Sequence, residues 1–276
     1  MLLELVVMMA IETDQAAAAV CAKFANYQAK QKGPDADEIE LAEMFANGKA
    51  VKRDLAAATH FACKADIAAA ELWGMLDHLE LMRKDGTGEP LDFCQHATSG
   101  TGSLRCALRR DEVLRPELAV RYEKVRTRSD QARTALDALR KRADAFVKAE
   151  SHWLTEQTRG GTIYPSMGVW TLLEGEESFV KKLEQYSRER APAASAAELE
   201  KADAALNAAY RERRSGMEAP EPEHLRDAQR EWIAYRDAFI TFYVERWRGT
   251  APPDALRREI AAQLTRGRTG ELLGDR

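Results

Sequence analysis

Hydrophobic and polar positions follow a helical period along most of this 276-residue chain. The pattern is clearest over residues 225–250, where apolar side chains recur at steps of three and four residues. These apolar positions are Leu225, Ala228, Trp232, Tyr235, Phe239 and Phe242. The spacing places them on one face of a long helix, and we expect Trp232, Tyr235 and Phe239 to lie in a core. We find no alternating pattern long enough to predict a β-strand.

An altered copy of this aromatic segment occurs earlier in the chain, at residues 139–162. When the two segments are aligned from their first residues, Phe146 falls on Trp232 and both segments end in Gly-Thr. A repeated aromatic helix indicates a structural unit rather than a reaction centre. We therefore expect a helical protein that binds a partner, and no catalytic residues are assigned.

The first 90 residues show short helical segments with brief connections. The expected helices cover residues 16–30, 35–46, 53–64 and 67–83. Short antiparallel helices of this kind are typical of a helix-pair solenoid. The sequence thus predicts an all-α fold that begins with a helix-pair segment.

Longer helices are expected after residue 92, arranged as antiparallel hairpins or a bundle. A break is expected near Ser129 and an interruption at Gly175, with loops between Cys94 and Cys106 and at residues 158–164. The expected long helices cover residues 117–149, 170–189, 196–214, 222–250 and 253–264. The predicted domains are residues 1–90, 91–190 and 191–276.

Charge narrows the choice of partner. The net charge of −4 argues against nucleic acid. Residues 1–96 hold 16 Asp/Glu and 9 Lys/Arg, net −7, whereas the remainder holds 29 and 32, net +3. An acidic front would attract a basic protein, although a solvated helical surface explains the same charges. No stretch approaches the ~18 apolar residues that a membrane span needs.

The chain has four cysteines, which fits two disulfides or four thiols of a cytosolic protein. The segment between Cys94 and Cys106 is rich in Gly, Ser and Thr and can bring its two ends together. We favour a Cys94–Cys106 bridge, which would stabilise the fold by about 3 kcal/mol. By elimination the second bridge is Cys21–Cys63.

The amino-terminal sequence leaves the export signal open. Residues 5–11 are apolar and small residues follow at 16–19, but Glu4 stands where a secretory signal carries Lys or Arg. Either the chain starts inside a longer signal, or this segment is the first helix of the mature fold.

Metal and cofactor chemistry is not indicated. The histidines are His60, His78, His96, His152 and His224, and none has a recognisable zinc-ligand spacing. Cys94, His96 and Cys106 lack a fourth ligand nearby, and the Gly160-Gly161-Thr162 turn lacks the lysine and strand of a phosphate loop. We therefore predict no metal and no cofactor. Carboxylate pairs at helical spacing are interpreted as solvated faces.

Three blocks of residues in the last two-thirds of the chain form a pattern. The opening block is Cys94-x-x-Ala97-Thr98 and Cys106-Ala107. The middle block is Ala202-Asp203, Leu206-Asn207 and Tyr210. The final block is Leu225-Arg226, Ala228-Gln229-Arg230, Trp232-Ile233 and Tyr235-Arg236-Asp237-Ala238. On these residues, the region 92–270 resembles the LprI family of secreted lysozyme inhibitors, as two diverged copies.

The resemblance implies a periplasmic or secreted protein whose partner is a lysozyme or a related wall-degrading enzyme. The residues that carry it most specifically are expected to be structural: Ala228, Gln229, Trp232, Tyr235, Arg236 and Asp237. Phe239 and Ile240 stand where many relatives have a cysteine, so a disulfide at that place is not expected.

The front of the chain resembles a Sel-like helical repeat, related to tetratricopeptide units, over residues 36–76. The matching positions are Phe45, Gly48, Val51, Asp54, Ala58, Phe61 and Ala65. Such a repeat implies protein–protein contacts, so a non-inhibitory envelope scaffold is the alternative function. A hydrolase with an unrecognised acid pair is a third.

Candidates for partner contact come from a helix end and from loops. Trp247 and Arg248 precede Gly249 at the end of the aromatic helix and are expected to be exposed. Thr98 and Thr101 lie between the paired cysteines, and Tyr164 ends the loop at 158–164.

Overall fold

The computed structural model of the protein describes residues 15–25, 36–86, 88–125 and 129–274. Over these ranges every regular element is a helix, so the all-α prediction is confirmed. Residues 15–24 are helical (α1). The apolar run at 5–11 and the rest of the helix predicted over 16–30 lie outside the described residues.

The chain divides into two compact units, Met1–Cys106 and Ala107–Arg276. The predicted boundaries at 90/91 and 190/191 stay predictions. After α1, the helices of the first unit are α2 (Glu38–Asn47), α3 (Leu55–Ala62), α4 (Ala69–Asp85) and a 3-10 turn (Phe93–Gln95).

Short-range capping fixes the ends of the first unit's helices. The carboxylate of Asp37 accepts a hydrogen bond from the N–H of Glu40 at 3.0 Å, and Asp54 caps α3 in the same way. Gly48 ends α2 with a φ of 66°, in the left-handed region that glycine adopts at little cost.

The core of the first unit lies where α2 packs on α3 and α3 on α4. Phe45 and Phe61 stack there with ring centroids 5.5 Å apart. Two disulfides join the described cysteines: Cys21–Cys63, with Cα atoms 5.5 Å apart, and Cys94–Cys106, with Cα atoms 5.6 Å apart. These are the two pairs that the sequence favours.

The second unit consists of long helices. They are α5 (Gly100–Glu123, whose residues up to Cys106 belong to the first unit), α6 (Asp130–Glu156), α7 (Tyr164–Arg188), α8 (Ala196–Ser215), α9 (Glu221–Arg246) and α10 (Pro253–Leu273). Ser129 marks the expected break and caps α6 by accepting from the N–H of Ala132 at 3.1 Å. Ser195 and Glu198 form a reciprocal capping box at the start of α8.

Several helix bounds differ from the prediction, since α6 continues to Glu156, α7 begins at Tyr164 and α9 ends at Arg246. Gly175 does not interrupt α7, because it lies in the helix against Val147 of α6, where no side chain fits. α10 continues past Leu264 to Leu273, because its polar last turns carry a buried arginine. α5 begins at Gly100, inside the segment predicted as a loop.

The core of the second unit lies mainly between α6 and α9, the two helices that share the aromatic stripe. They run antiparallel, and Phe146 of α6 stacks on Tyr235 of α9 with ring centroids 5.4 Å apart. Trp232, Tyr235 and Phe239 are all buried, as expected. α7 packs antiparallel on α6, and α10 packs on α8 and α9.

Within the described residues, none of the helices combines the length and the apolar character needed to cross a bilayer.

Candidate functional site

The end of α9 holds two predicted contact residues in different environments. Trp247 is half-buried, and its Nε1–H donates to the carbonyl oxygen of Tyr186 on α7 at 2.9 Å. Arg248 is exposed and forms an ion pair with Glu245. Trp247 therefore anchors the end of α9 to α7, whereas Arg248 is the more exposed of these two candidates.

Tyr164 lies far from this helix end. It is the first residue of α7 and is half-buried. Tyr186, which contacts Trp247, is 22 residues further along the same helix. At 1.5 Å per residue this places Tyr164 roughly 33 Å from Tyr186. Tyr164 and Trp247 therefore do not belong to one compact patch.

Thr98 and Thr101 are exposed residues of the first unit, in a segment that Glu71 holds. The carboxylate of Glu71 accepts from the N–H groups of Thr98 at 2.9 Å, Ser99 at 2.7 Å and Ala68 at 3.1 Å. Burial acts to raise the pKa of Glu71, but these hydrogen bonds outweigh it and the pKa is lowered. The segment between the paired cysteines is thus an anchored entry into α5.

The apolar signature residues of the final block lie partly in the interior. Ala228, Trp232 and Tyr235 are buried, and the Oε1 of Gln229 accepts from the Nε–H of Arg268 at 3.1 Å. The structural role of the signature stays a prediction.

The two charged signature residues sit at the edge of this core. The guanidinium of Arg236 lies over the ring of Trp232, 5.3 Å from its centroid. Arg236 also pairs with exposed Asp237 at 3.1 Å and with Asp203 of α8 at 3.6 Å. It therefore connects α9 to α8.

A buried arginine on α10 is the main feature that sequence reasoning missed. Arg268 is 1% exposed. It makes two hydrogen bonds to the carboxylate of Glu150 at 2.8 and 2.9 Å and pairs with Glu271 at 3.2 Å. Burial acts to lower the pKa of Arg268, but the two carboxylates raise it overall. The signal available in the sequence was the four-residue step Leu264, Arg268, Leu272, which continues the buried face of α10.

A cavity of about 360 Å³ lies beside this network, lined by α6, α7, α9 and α10. Its charged lining includes Lys182, which pairs with Glu271 at 2.9 Å, and Glu150, which binds Arg268. These groups are engaged in ion pairs that hold helices together. The cavity is therefore interpreted as part of the packing rather than as a reaction site.

Histidines and one carboxylate meet at the junction of α6 and α9. His152, Glu156 and His224 each offer a ligand atom, and in the described part of the chain these atoms lie within 4.8 Å of one another. His224 is far from the other two in sequence, so ligand spacing could not reveal the group. Cys94 and Cys106, the earlier candidate ligands beside His96, are disulfide-bonded.

Comparison with known proteins gives one family. Residues 184–272 match the model of the family described as Lysozyme inhibitor LprI. The match includes the end of α7 and α8 to α10, and therefore every residue of the middle and final blocks.

The searches of curated proteins and of solved structures found no match. The Sel-like repeat lies outside the family match, and so does the predicted first copy at 91–190 apart from residues 184–190; both stay predictions. Residues 184–272 of this chain are therefore similar to the family described as Lysozyme inhibitor LprI.

Proposed function

We propose that this protein acts outside the cytoplasm, where it binds and inhibits a lysozyme or a related wall-degrading enzyme. The family match over residues 184–272 carries the proposal. The two disulfides support it, because such bonds persist in oxidising compartments. Inhibition is steric: a helical surface or a loop of the protein covers the cleft of the target.

We place the blocking contact at the turn between α9 and α10, residues 247–252. This turn lies inside the family match, whereas Tyr164, Thr98 and Thr101 lie outside it. Trp247 fixes the turn to α7, and Arg248 projects from it with its side chain 69% exposed. A fixed backbone that presents an exposed arginine is typical of an interface anchor. The acidic front of the chain, net −7 over residues 1–96, would speed encounter with a basic enzyme.

A turbidity assay tests the function. A bacterial cell-wall suspension is cleared by each of several lysozymes, with the purified protein added from equimolar amounts to large excess. We expect clearing to slow in proportion to the protein added, for at least one lysozyme. Full clearing at large excess with every enzyme would contradict the proposal.

A charge reversal tests the contact separately. Arg248→Glu should weaken inhibition at least tenfold, which corresponds to about 1.4 kcal/mol of binding free energy. Arg230→Glu is the matched control, since Arg230 lies on α9, which precedes this turn, and its side chain has the same 69% exposure. If both variants inhibit like the wild type, the contact lies elsewhere while the function stands.

A non-inhibitory envelope scaffold is the second candidate. The observation that favours it is the compact unit Met1–Cys106, which lies outside the family match and exposes Leu81 at 51% beside a cavity of about 450 Å³. Capture of partners from an envelope fraction should then be lost in Leu81→Lys. If the protein is an inhibitor instead, the Leu81→Lys variant should still slow the clearing of cell walls by lysozyme.

A further inference from the structure

We propose that His152, Glu156 and His224, here called the α6–α9 cluster, bind one Zn²⁺ ion. Two neutral imidazole nitrogens and one carboxylate oxygen form a known zinc ligand set, in which water takes the fourth position. The same set suits zinc better than magnesium or calcium, which prefer ligands that are all oxygen.

The helices bring the ligands together. His152 and Glu156 are four residues apart on α6, so their side chains lie on one face, one turn apart. His224 lies in the first turn of α9, whose start meets the end of antiparallel α6. The Nδ1 of His224 is 3.7 Å from the Oε2 of Glu156, and the two imidazole centroids are 4.2 Å apart.

These distances suit a shared ion after small side-chain rotations. Ligands at about 2.0–2.1 Å from a tetrahedral zinc are roughly 3.3 Å from one another. The Glu156–His224 pair is close to that value. His152 is exposed, so its ring can turn toward the other two ligands.

Two buried polar atoms of the cluster point to a missing ligand. Glu156 is 6% exposed, yet its Oε2 has no hydrogen-bond partner among the described residues, and the same holds for the Nδ1 of His224. Their separation of 3.7 Å is too long for a hydrogen bond. A buried carboxylate oxygen left without a partner is costly, and a cation between the two atoms removes that cost.

The surroundings leave one carboxylate oxygen for the metal. The guanidinium of Arg159 pairs with the other oxygen, Oε1, at 2.6 Å. An outer partner of this kind holds a ligating carboxylate in place. Because His152 faces solvent, water can reach the fourth position. The bound ion would join the last turn of α6 to the first turn of α9 and so stabilise the second unit.

Zinc binding is measured by calorimetry and by competition with a chromogenic chelator, using full-length protein freed of any histidine tag. We expect one Zn²⁺ per chain and a rise in melting temperature with excess zinc. His152→Ala should weaken binding at least 100-fold and keep the wild-type circular dichroism, since the side chain is exposed. Glu156→Gln should weaken binding at least tenfold.

A second histidine pair supplies the control. His78 and His96 of the first unit lie 3.1 Å apart, Nδ1 to Nε2, and are not part of the cluster. His78→Ala should leave the binding at the α6–α9 cluster unchanged. The proposal is overturned if the wild type binds no zinc, or if binding is lost in His78→Ala and kept in His152→Ala.

Discussion

At the scale of single residues, Gly175 sets the distance between two helices. A Cβ at this position would lie 2.7 Å from Cγ1 of Val147 and 3.0 Å from its Cγ2. Val147 is β-branched and stiff, so it cannot turn away without strain. The residue that looks like a helix breaker in the sequence is therefore the residue that lets α7 approach α6.

Gly175→Ala should lower the free energy of unfolding by about 1–3 kcal/mol, because overpacking outweighs the gain in helix propensity. Gly168→Ala on the same helix is the matched control. No atom comes within 4 Å of a Cβ placed there, so it should stabilise by up to ~1 kcal/mol. Denaturant unfolding of the wild type and of both variants measures these changes in the free energy of unfolding. Equal effects from the two would contradict the close approach.

Glu71 makes the stability of the first unit depend on pH. Its pKa is lowered, because its backbone hydrogen bonds favour the charged carboxylate and outweigh the opposing effect of burial. A group with a lowered folded-state pKa stabilises the fold above its ordinary value of about 4.5 and loses that contribution as pH falls through the folded-state pKa.

Glu71→Gln should therefore cost about 1–3 kcal/mol at neutral pH, since the amide nitrogen faces backbone donors. The gap between wild type and variant should shrink below pH 4.5. Urea unfolding of both proteins at neutral and at acidic pH measures the gap. A gap that stays constant with pH would count against the role of the charge.

At the scale of helices, Arg268 of α10 connects three elements. It binds Glu150 of α6 and Gln229 of α9 from a fully buried position. Its guanidinium also lies over the ring of Phe146, with Cζ 5.3 Å from the centroid. Removal of the arginine breaks its two hydrogen bonds to the half-buried carboxylate of Glu150.

Arg268→Ala should destabilise the second unit by about 3–5 kcal/mol, the cost of breaking a buried ion pair from one side. Arg268→Lys should recover part of this loss, because an ammonium group cannot reproduce the two-pronged contact. Arg266→Ala, an exposed change on the same helix, should stay within about 0.5 kcal/mol of wild type. Thermal unfolding of the three variants ranks them. Similar losses for Arg266→Ala and Arg268→Ala would contradict this account.

Local signals made several helix ends predictable. The break at Ser129 and the capping box at Ser195 depend on residues a few positions apart, which the sequence shows directly. The aromatic face of α9 follows from helical spacing. In contrast, Arg268 meets Glu150 across 118 positions, and no spacing rule connects them.

Functional sites are likewise predictable from the sequence only where their residues lie close together along the chain. The signature residues of α9 could be assigned a structural role, because the buried ones share one helical face. The α6–α9 cluster could not be found, since His224 comes close to Glu156 through the packing of α6 on α9. The candidates Tyr164 and Trp247 seemed comparable in the sequence, and the length of α7 separates them.

At the scale of the whole molecule, one disulfide includes the last residue of the first unit, Cys106. Cys94–Cys106 closes a short loop within Met1–Cys106. Its loss through Cys94→Ser with Cys106→Ser should cost about 3 kcal/mol by the chain-entropy relation. Amide hydrogen exchange over residues 36–106 should then be faster than in wild type. Unchanged exchange in these residues would contradict the expected loss of stability and would show that the Glu71 contacts hold the segment without the disulfide.

The first and last residues of the family match are not suitable ends for a fragment that is to fold by itself. The match begins at residue 184, near the end of α7, so it omits α6, the helix that α9 packs against most extensively. A fragment trimmed to the match would leave Tyr235 and its neighbours as a bare apolar strip, the kind of surface that drives aggregation. Anyone grafting this inhibitor-like unit into another protein should begin no later than Ser129 and continue through Leu273.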